Sequence, residues 1–168
     1  MTLPERCGGV FSYLTLCLAA AFFIVGFFLF ERHDLRAARP VEPPPKTQTP
    51  CEKFASHCAA RQQDGYYTFE GWACIPGERF YSVDCRLVLR DKHTGAYLRA
   101  ATVMSPRDEL ENLVPGGHSH AFAGFYAFLD AAALPGAPER YELFFAYRSN
   151  GHNMLVKAGL NLSEALAL

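Results

Sequence analysis

The chain has 168 residues and a formal net charge of −1. That length holds one domain of ordinary size. The near-zero charge excludes the broad basic surface by which proteins recruit nucleic acid. Half of the residues are apolar, and much of that excess lies before residue 31.

After a tail over 1–9, the stretch from Val10 to Phe30 reads VFSYLTLCLAAAFFIVGFFLF and carries no charge. As a helix rising about 1.5 Å per residue it spans roughly 30 Å, the thickness of a bilayer's hydrocarbon core. The sequence therefore predicts one transmembrane helix over 10–30, a signal anchor, with the membrane as a single-pass partner. A cleaved signal peptide has a shorter core of about 7–15 residues and a small-x-small site. Arg36-Ala37-Ala38-Arg39 matches that site poorly.

Two signals disagree on orientation. Arg6 precedes the apolar run, whereas Arg32, Arg36, Arg39 and Lys46 follow it, which favours a cytoplasmic C-terminal region. Cys51, Cys58, Cys74 and Cys85 form an even set, and disulfides belong outside the cytosol. The expectation is a cell-membrane protein with its domain outside the cytoplasm.

Residues 31–50 are expected to be a spacer. Pro40 to Pro50 holds five prolines in eleven residues, which forbids a helix and favours an extended chain. Residues 51–64 read as a cysteine-containing lead-in with helical character. From Asp64-Gly65 onward, over 65–168, the pattern is β. Tyr66 to Ile75 is an aromatic strand ended by Pro76-Gly77. Between Phe80 and Arg90, Val83, Cys85, Leu87 and Leu89 alternate with Asp84, Arg86 and Arg90, as on a half-buried strand. Asp91 to Gly95 forms a hairpin loop, and Tyr97 to Met104 returns as its partner.

Ser105-Pro106 then has the form of a helix cap and first position, and Pro115-Gly116-Gly117 ends that insertion. Strands follow at Ala121 to Leu129, Tyr141 to Arg148 and Met154 to Leu160, with Asn150-Gly151 as a hairpin turn. The predicted fold class is mainly β: one N-terminal transmembrane helix plus an antiparallel immunoglobulin-like β-sandwich with one short helical insertion.

Four cysteines allow three pairings. Cys51–Cys58 and Cys74–Cys85 each close a local loop and are the expected disulfides. Free buried thiols and a zinc site with His57 are the rival readings; the paired knuckles usual for structural zinc are missing from the sequence. His118 and His120, on alternate positions, would share one side of an extended chain and could ligate one metal, but no third ligand stands at diagnostic spacing. Neither a GxSxG elbow nor an HExxH motif occurs. The expectation is a protein that is not an enzyme and holds no metal or cofactor. Asn161-Leu162-Ser163 fits a glycosylation sequon and is taken as chance.

Trp72 is the single tryptophan. On a strand it is more often a core anchor than a ligand platform. Thr68 and Glu70, its neighbours of the same parity, are polar, which leaves open a ring exposed for stacking on sugar. Tyr66, Tyr97 and Tyr126, with Tyr81, would extend such a surface. Arg107 and Asp108 read as a local capping and ion-pair feature beside it.

Glu70-Gly71-Trp72-Ala73 after a strand, then Pro76-Gly77, Arg107-Asp108, Ala123-Gly124-Phe125, Leu134-Pro135 and a strand from Tyr141 together form a pattern. Over roughly 64–163 it resembles the immunoglobulin-like β-sandwich accessory domains of bacterial cell-surface glycosyltransferases and teichoic-acid-type polymerases. The resemblance implies a non-catalytic module at the bacterial envelope and carries no catalytic residue across. The function expected from the sequence is binding of a surface polysaccharide or of another envelope protein. The alternatives are a structural subunit of a membrane complex with no ligand of its own, and a membrane-tethered metal-dependent hydrolase built on His118 and His120.

Overall fold

The computed structural model describes residues 6–30, 39–41, 53–78, 83–107, 110 and 122–168. The chain forms two units, Met1–Leu35 and Arg36–Leu168.

In the first unit, Arg6–Phe30 is a helix, α1. Among the described residues, however, no helix is long and apolar enough to cross a membrane. This corrects the expected transmembrane span.

The second unit is mainly β, built as two antiparallel sheets. Sheet I contains β1 (Arg39–Val41), β5 (Tyr97–Arg99), β4 (Asp84–Asp91), β8 (Tyr141–Ser149) and β9 (His152–Asn161), in that spatial order. Sheet II contains β2 (Ala55–Gln63), β3 (Tyr66–Cys74), β7 (Gly124–Asp130) and β6 (Ala101–Ser105). A short helix, α2 (Leu162–Ala165), closes the chain. With β2 to β9 taken as strands A, B, C, C′, D, E, F and G, sheet II runs A-B-E-D and sheet I ends C′-C-F-G. These are the strand orders of immunoglobulin-type sandwiches. Such an order speaks of topology and leaves function to the site.

The core lies between the sheets. Phe69, Phe125, Ala127 and Leu129 from sheet II meet Leu87, Leu89, Leu143, Phe145 and Tyr147 from sheet I in one buried cluster. The rings of Phe125 and Phe145 stand 5.7 Å apart across it, within the range of favourable aromatic pairs. Each strand contributes alternate residues, as a period of two requires.

Three two-residue or loop connections set the registers. Asp64 and Gly65 both have positive φ, 51° and 79°, and join β2 to β3. Asn150 and Gly151, at 47° and 82°, join β8 to β9. Positive φ at both central residues is the turn whose twist suits a hairpin. The third, between β4 and β5, is tied by Asp91, which accepts from the His93 backbone N–H and the Thr94 hydroxyl, each at 2.8 Å.

Several expectations need correction. The lead-in to the β domain is not helical: Ala55–Gln63 is a full strand pairing with β3 from Ala55↔Cys74 to Gln63↔Tyr66. Part of the expected spacer, Arg39–Val41, is an edge strand on β5. An edge tolerates Pro40, which has no N–H to give. The expected single strand from Tyr97 to Met104 is two strands. β5 pairs with β4 in sheet I and β6 with β7 in sheet II. The chain changes sheet at buried Ala100, whose N–H still reaches the Leu87 carbonyl at 3.0 Å. Strands that switch sheets make the corners of sandwiches in this way. Ser105 ends β6 and is not a helix cap. Residues 42–52, including Lys46 and Cys51, lie outside the described residues, as do Phe80, Tyr81, Asp108 and 111–121 with His118 and His120.

Candidate functional site

Directly paired residues of antiparallel strands put their side chains on the same side of the sheet. The pairings therefore map the outer face of sheet II row by row. One row is His57, Trp72, Gly124 and Ser105; the next is Ala59, Glu70, Tyr126 and Val103; the third is Arg61, Thr68, Phe128 and Ala101; the last is Gln63, Tyr66 and Asp130. Val103 is 54% exposed, and Tyr126 and Phe128 are each 42% exposed.

Arg107 follows β6 and lies back across this face. Its Nη2 donates to Oε1 of Glu70, and its guanidinium sits 5.3 Å from the centre of the Tyr126 ring. The first contact joins opposite charges; the second uses the negative face of the ring. Glycine at 124 makes room for it. A Cβ there would stand 2.2 Å from Cγ of Arg107 and 2.9 Å from the carbonyl oxygen of Ser105. Arg107 is largely covered, whereas about half of Glu70 remains open to solvent.

Trp72 is neither core anchor nor free platform. It lies half-buried on the outer face and packs on Cys74, Leu110 and Ala123. Its ring is 6.5 Å from that of exposed His57. Leu110 is placed by its own N–H, which donates to the Arg107 carbonyl at 3.1 Å. Arg107 and the tryptophan cluster are thus held by one short segment.

Of the ligand-surface residues read from sequence, Trp72, Tyr66, Tyr126 and Arg107 come together here. Tyr97 does not. It sits on the outer face of sheet I, 5.9 Å from the Phe144 ring, with Arg90 5.9 Å from its own ring centre. Asp108 is outside the described residues. Phe128, Val103, Glu70 and Gly124 belong to the face and were not singled out from sequence as ligand residues. Phe128 shares parity with Tyr126 on a strand whose odd-numbered residues Phe125, Ala127 and Leu129 are buried. That alternation was the available signal.

The outer face of sheet I is different in kind. Val88, Phe144 and Leu155 are buried there, with Tyr97 and Ala146 packed against them. Glu142 takes hydrogen bonds from Lys157 at 2.7 Å and Arg90 at 3.5 Å, and Lys157 foremost holds its carboxyl below the ordinary carboxylate range.

The expected Cys74–Cys85 disulfide is not formed: Cys58, Cys74 and Cys85 are all free and buried. Cys85 points into the core between the sheets, whereas Cys74 lies with Trp72 and Leu110 in a separate cluster. Two thiols on opposite sides of sheet II cannot meet the separation of a disulfide, about 3.8 Å between Cβ atoms. The partner expected for Cys58, Cys51, lies outside the described residues. Burial pushes the Cys58 thiol up to about 12 and the Cys74 thiol up to about 11. Cys85 is raised further still by burial, then by the charges of Asp84 and Cys58. Among the described residues no group of three or more His, Cys, Asp or Glu side chains could hold a metal ion.

Comparison with known proteins finds no matching family model, no matching curated protein and no matching solved structure.

Proposed function

We propose that the β domain is a non-catalytic binding module and that the outer face of sheet II takes its ligand. The observation that carries this is the contrast between the two outer faces. Sheet I buries its outward apolar residues Val88, Phe144 and Leu155. Sheet II leaves Val103, Tyr126 and Phe128 exposed side by side on paired strands. Single exposed apolar residues need no explanation, but contiguous ones mark interaction sites. The ion pair of Arg107 and Glu70, set beside the Tyr126 ring, gives the patch fixed polar groups next to its apolar ones. The resemblance to envelope accessory modules supports the same reading, with a surface glycan or an envelope assembly protein as ligand.

A photo-crosslinking residue tests it. With benzoylphenylalanine at position 103, irradiation of cells that make the protein should give an adduct, a discrete band for a protein ligand and a smear for a polysaccharide. The same residue at position 157, on sheet I, should give none. Equal yields at both positions, or none at 103, would refute the assignment of the face.

A further inference from the structure

We infer that the ligand of this face is an uncharged polysaccharide, lying across β3, β7 and β6 with its sugar rings against Tyr126 and Phe128. The inference rests on the assignment of sheet II's outer face as the binding surface, and it names the chemistry of the occupant.

Charge is the first argument. Glu70 and Arg107 neutralise one another within the face. The remaining charged positions of the mapped rows are Arg61 and Asp130, of opposite sign, with His57 at the far end. An acidic polymer would need several cations directed at it, because its affinity comes from neutralising successive anionic groups. This face presents no such set among its described residues.

Composition is the second. A dry protein interface has an apolar centre with polar groups at its rim. Here hydrogen-bonding side chains stand in the same rows as the exposed rings: Glu70 beside Tyr126, and Thr68 beside Phe128, with Arg61 one strand further out. A sugar ring presents C–H surface on its faces and hydroxyls around its edge. Such a ring matches an aromatic side chain flanked by donors and acceptors. Aromatic rings supply that apolar contact at little cost in conformational freedom.

Spacing is the third. Tyr126 and Phe128 occupy alternate positions of one strand, so they stand about 7 Å apart, and the neighbouring strands are about 4.8 Å away on either side. The rows form a nearly regular grid suited to an extended chain of repeating units. Arg107 fixes one end of it: stacked on Tyr126 and bonded to Glu70, it limits the freedom of both before any ligand arrives. Side chains ordered in advance cost less to bind with.

Affinity electrophoresis of the full-length chain supplies the test. Native gels would contain a soluble neutral glucan or mannan in one set and a polyuronate in another. Retardation by a neutral polymer, unchanged in 0.5 M salt, is the expected result. Phe128→Ala and Tyr126→Ala should each weaken it by about tenfold, equivalent to about 1.4 kcal/mol. Tyr97→Ala, on sheet I, should leave it unchanged. Circular dichroism melts of the two variants separate lost binding from lost folding, and Phe128→Gln gives a second, milder probe. Retardation by the polyuronate alone, or retardation abolished by salt, would overturn the inference. So would the absence of retardation in every neutral gel. In that last case the crosslink at position 103 separates the two ideas. A protein adduct there keeps the face and discards the glycan, whereas no adduct discards both.

Discussion

Gly124 is the floor on which Arg107 lies. A Cβ at position 124 would stand 2.2 Å from Cγ of Arg107, closer than real contacts allow. The arginine's route to Glu70 and to the Tyr126 ring therefore depends on a missing side chain one strand away. Gly124→Ala is expected to lift Arg107 off the sheet and to crowd the Ser105 carbonyl. The stability loss should be about 1–3 kcal/mol, the usual cost of overpacking, read by urea denaturation. Arg107→Ala should cost less stability, because it removes an ion pair at a partly exposed site and adds no clash. The reverse order would show that the close approach is relieved by movement elsewhere.

Tyr141 opens β8 and turns its hydroxyl back to donate to the Pro135 carbonyl at 2.8 Å. The ring is buried, and burial, ahead of the charges nearby, raises the hydroxyl's pKa. This is the tyrosine corner that pins a crossing connection in sandwiches. The connection from β7 to β8 passes from sheet II to sheet I through two short 3₁₀ turns, Ala131–Ala133 and Pro138–Arg140. Tyr141→Phe keeps the packing and removes the hydrogen bond. It should cost about 0.5–1.5 kcal/mol, the net worth of one intramolecular hydrogen bond, because Pro135 itself is exposed. Thermal melts would measure it, and an unchanged Tm would mean that water replaces the hydroxyl at no net cost.

Much of the sheet I meander was legible because its residues declare themselves. Cys85, Leu87 and Leu89 alternate with charged residues at 84, 86 and 90, and Asn150-Gly151 admits few conformations but a tight hairpin. Strand β2 was not legible. Its residues Ala55-Ser56-His57-Cys58-Ala59-Ala60 carry little β preference, and only pairing with β3 makes them a strand. From sequence Asp64-Gly65 reads as the boundary where the β pattern starts, and it is the turn of that hairpin. The change of sheet at Ala100 leaves no mark in the sequence, because a small residue at a bend is indistinguishable from one within a strand. The sequence offers Asn161 only as a chance sequon, with no sign of its structural role. It caps α2 instead: its Oδ1 accepts from Glu164 N at 3.0 Å while Glu164 Oε2 accepts from Asn161 N at 2.7 Å. The ligand face was partly found, through Trp72, Tyr66, Tyr126 and Arg107. Its grouping was not, because Tyr97 has the same character and lies on the other sheet.

Asp91 and Arg140 tie the β4–β5 loop to the segment before β8. Arg140 donates through Nε to Oδ1 at 2.6 Å and through Nη2 to Oδ2. Lys92 adds to the same tie, its Nζ donating to the Glu139 carbonyl at 2.7 Å. The Arg140 hydrogen bond, first, and those from His93 and Thr94 hold the Asp91 carboxyl well below the usual carboxylate range. A lowered folded-state pKa stabilises the fold above the unfolded value of about 3.9, and that contribution is lost as pH falls toward the folded value. Wild-type stability should therefore decline with acid below about pH 4. Asp91→Asn should start lower at pH 7 and show a shallower acid decline. Parallel pH profiles for the two proteins would mean that other carboxylates govern the acid limb.

The free thiols give a test that distinguishes the observed core from the expected disulfides. A thiol reacts as its thiolate. With pKa values near 12 for Cys58 and near 11 for Cys74, the thiolate fraction at pH 8 is at most about one in a thousand. Burial blocks the reagent as well. Iodoacetamide at pH 8 should therefore leave Cys58, Cys74 and Cys85 unmodified in the native protein, while exposed Cys17 is alkylated. In urea all three should react without added reductant, with each site identified by peptide mass spectrometry. If Cys74 and Cys85 became reactive only after reduction, the two would be bridged. That bridge would have to pull Cys74 out of its cluster with Trp72 and Leu110 and through the plane of sheet II. The same rearrangement would release the segment that carries Arg107, so a bridged protein would also lose the ordered ion pair of the aromatic face.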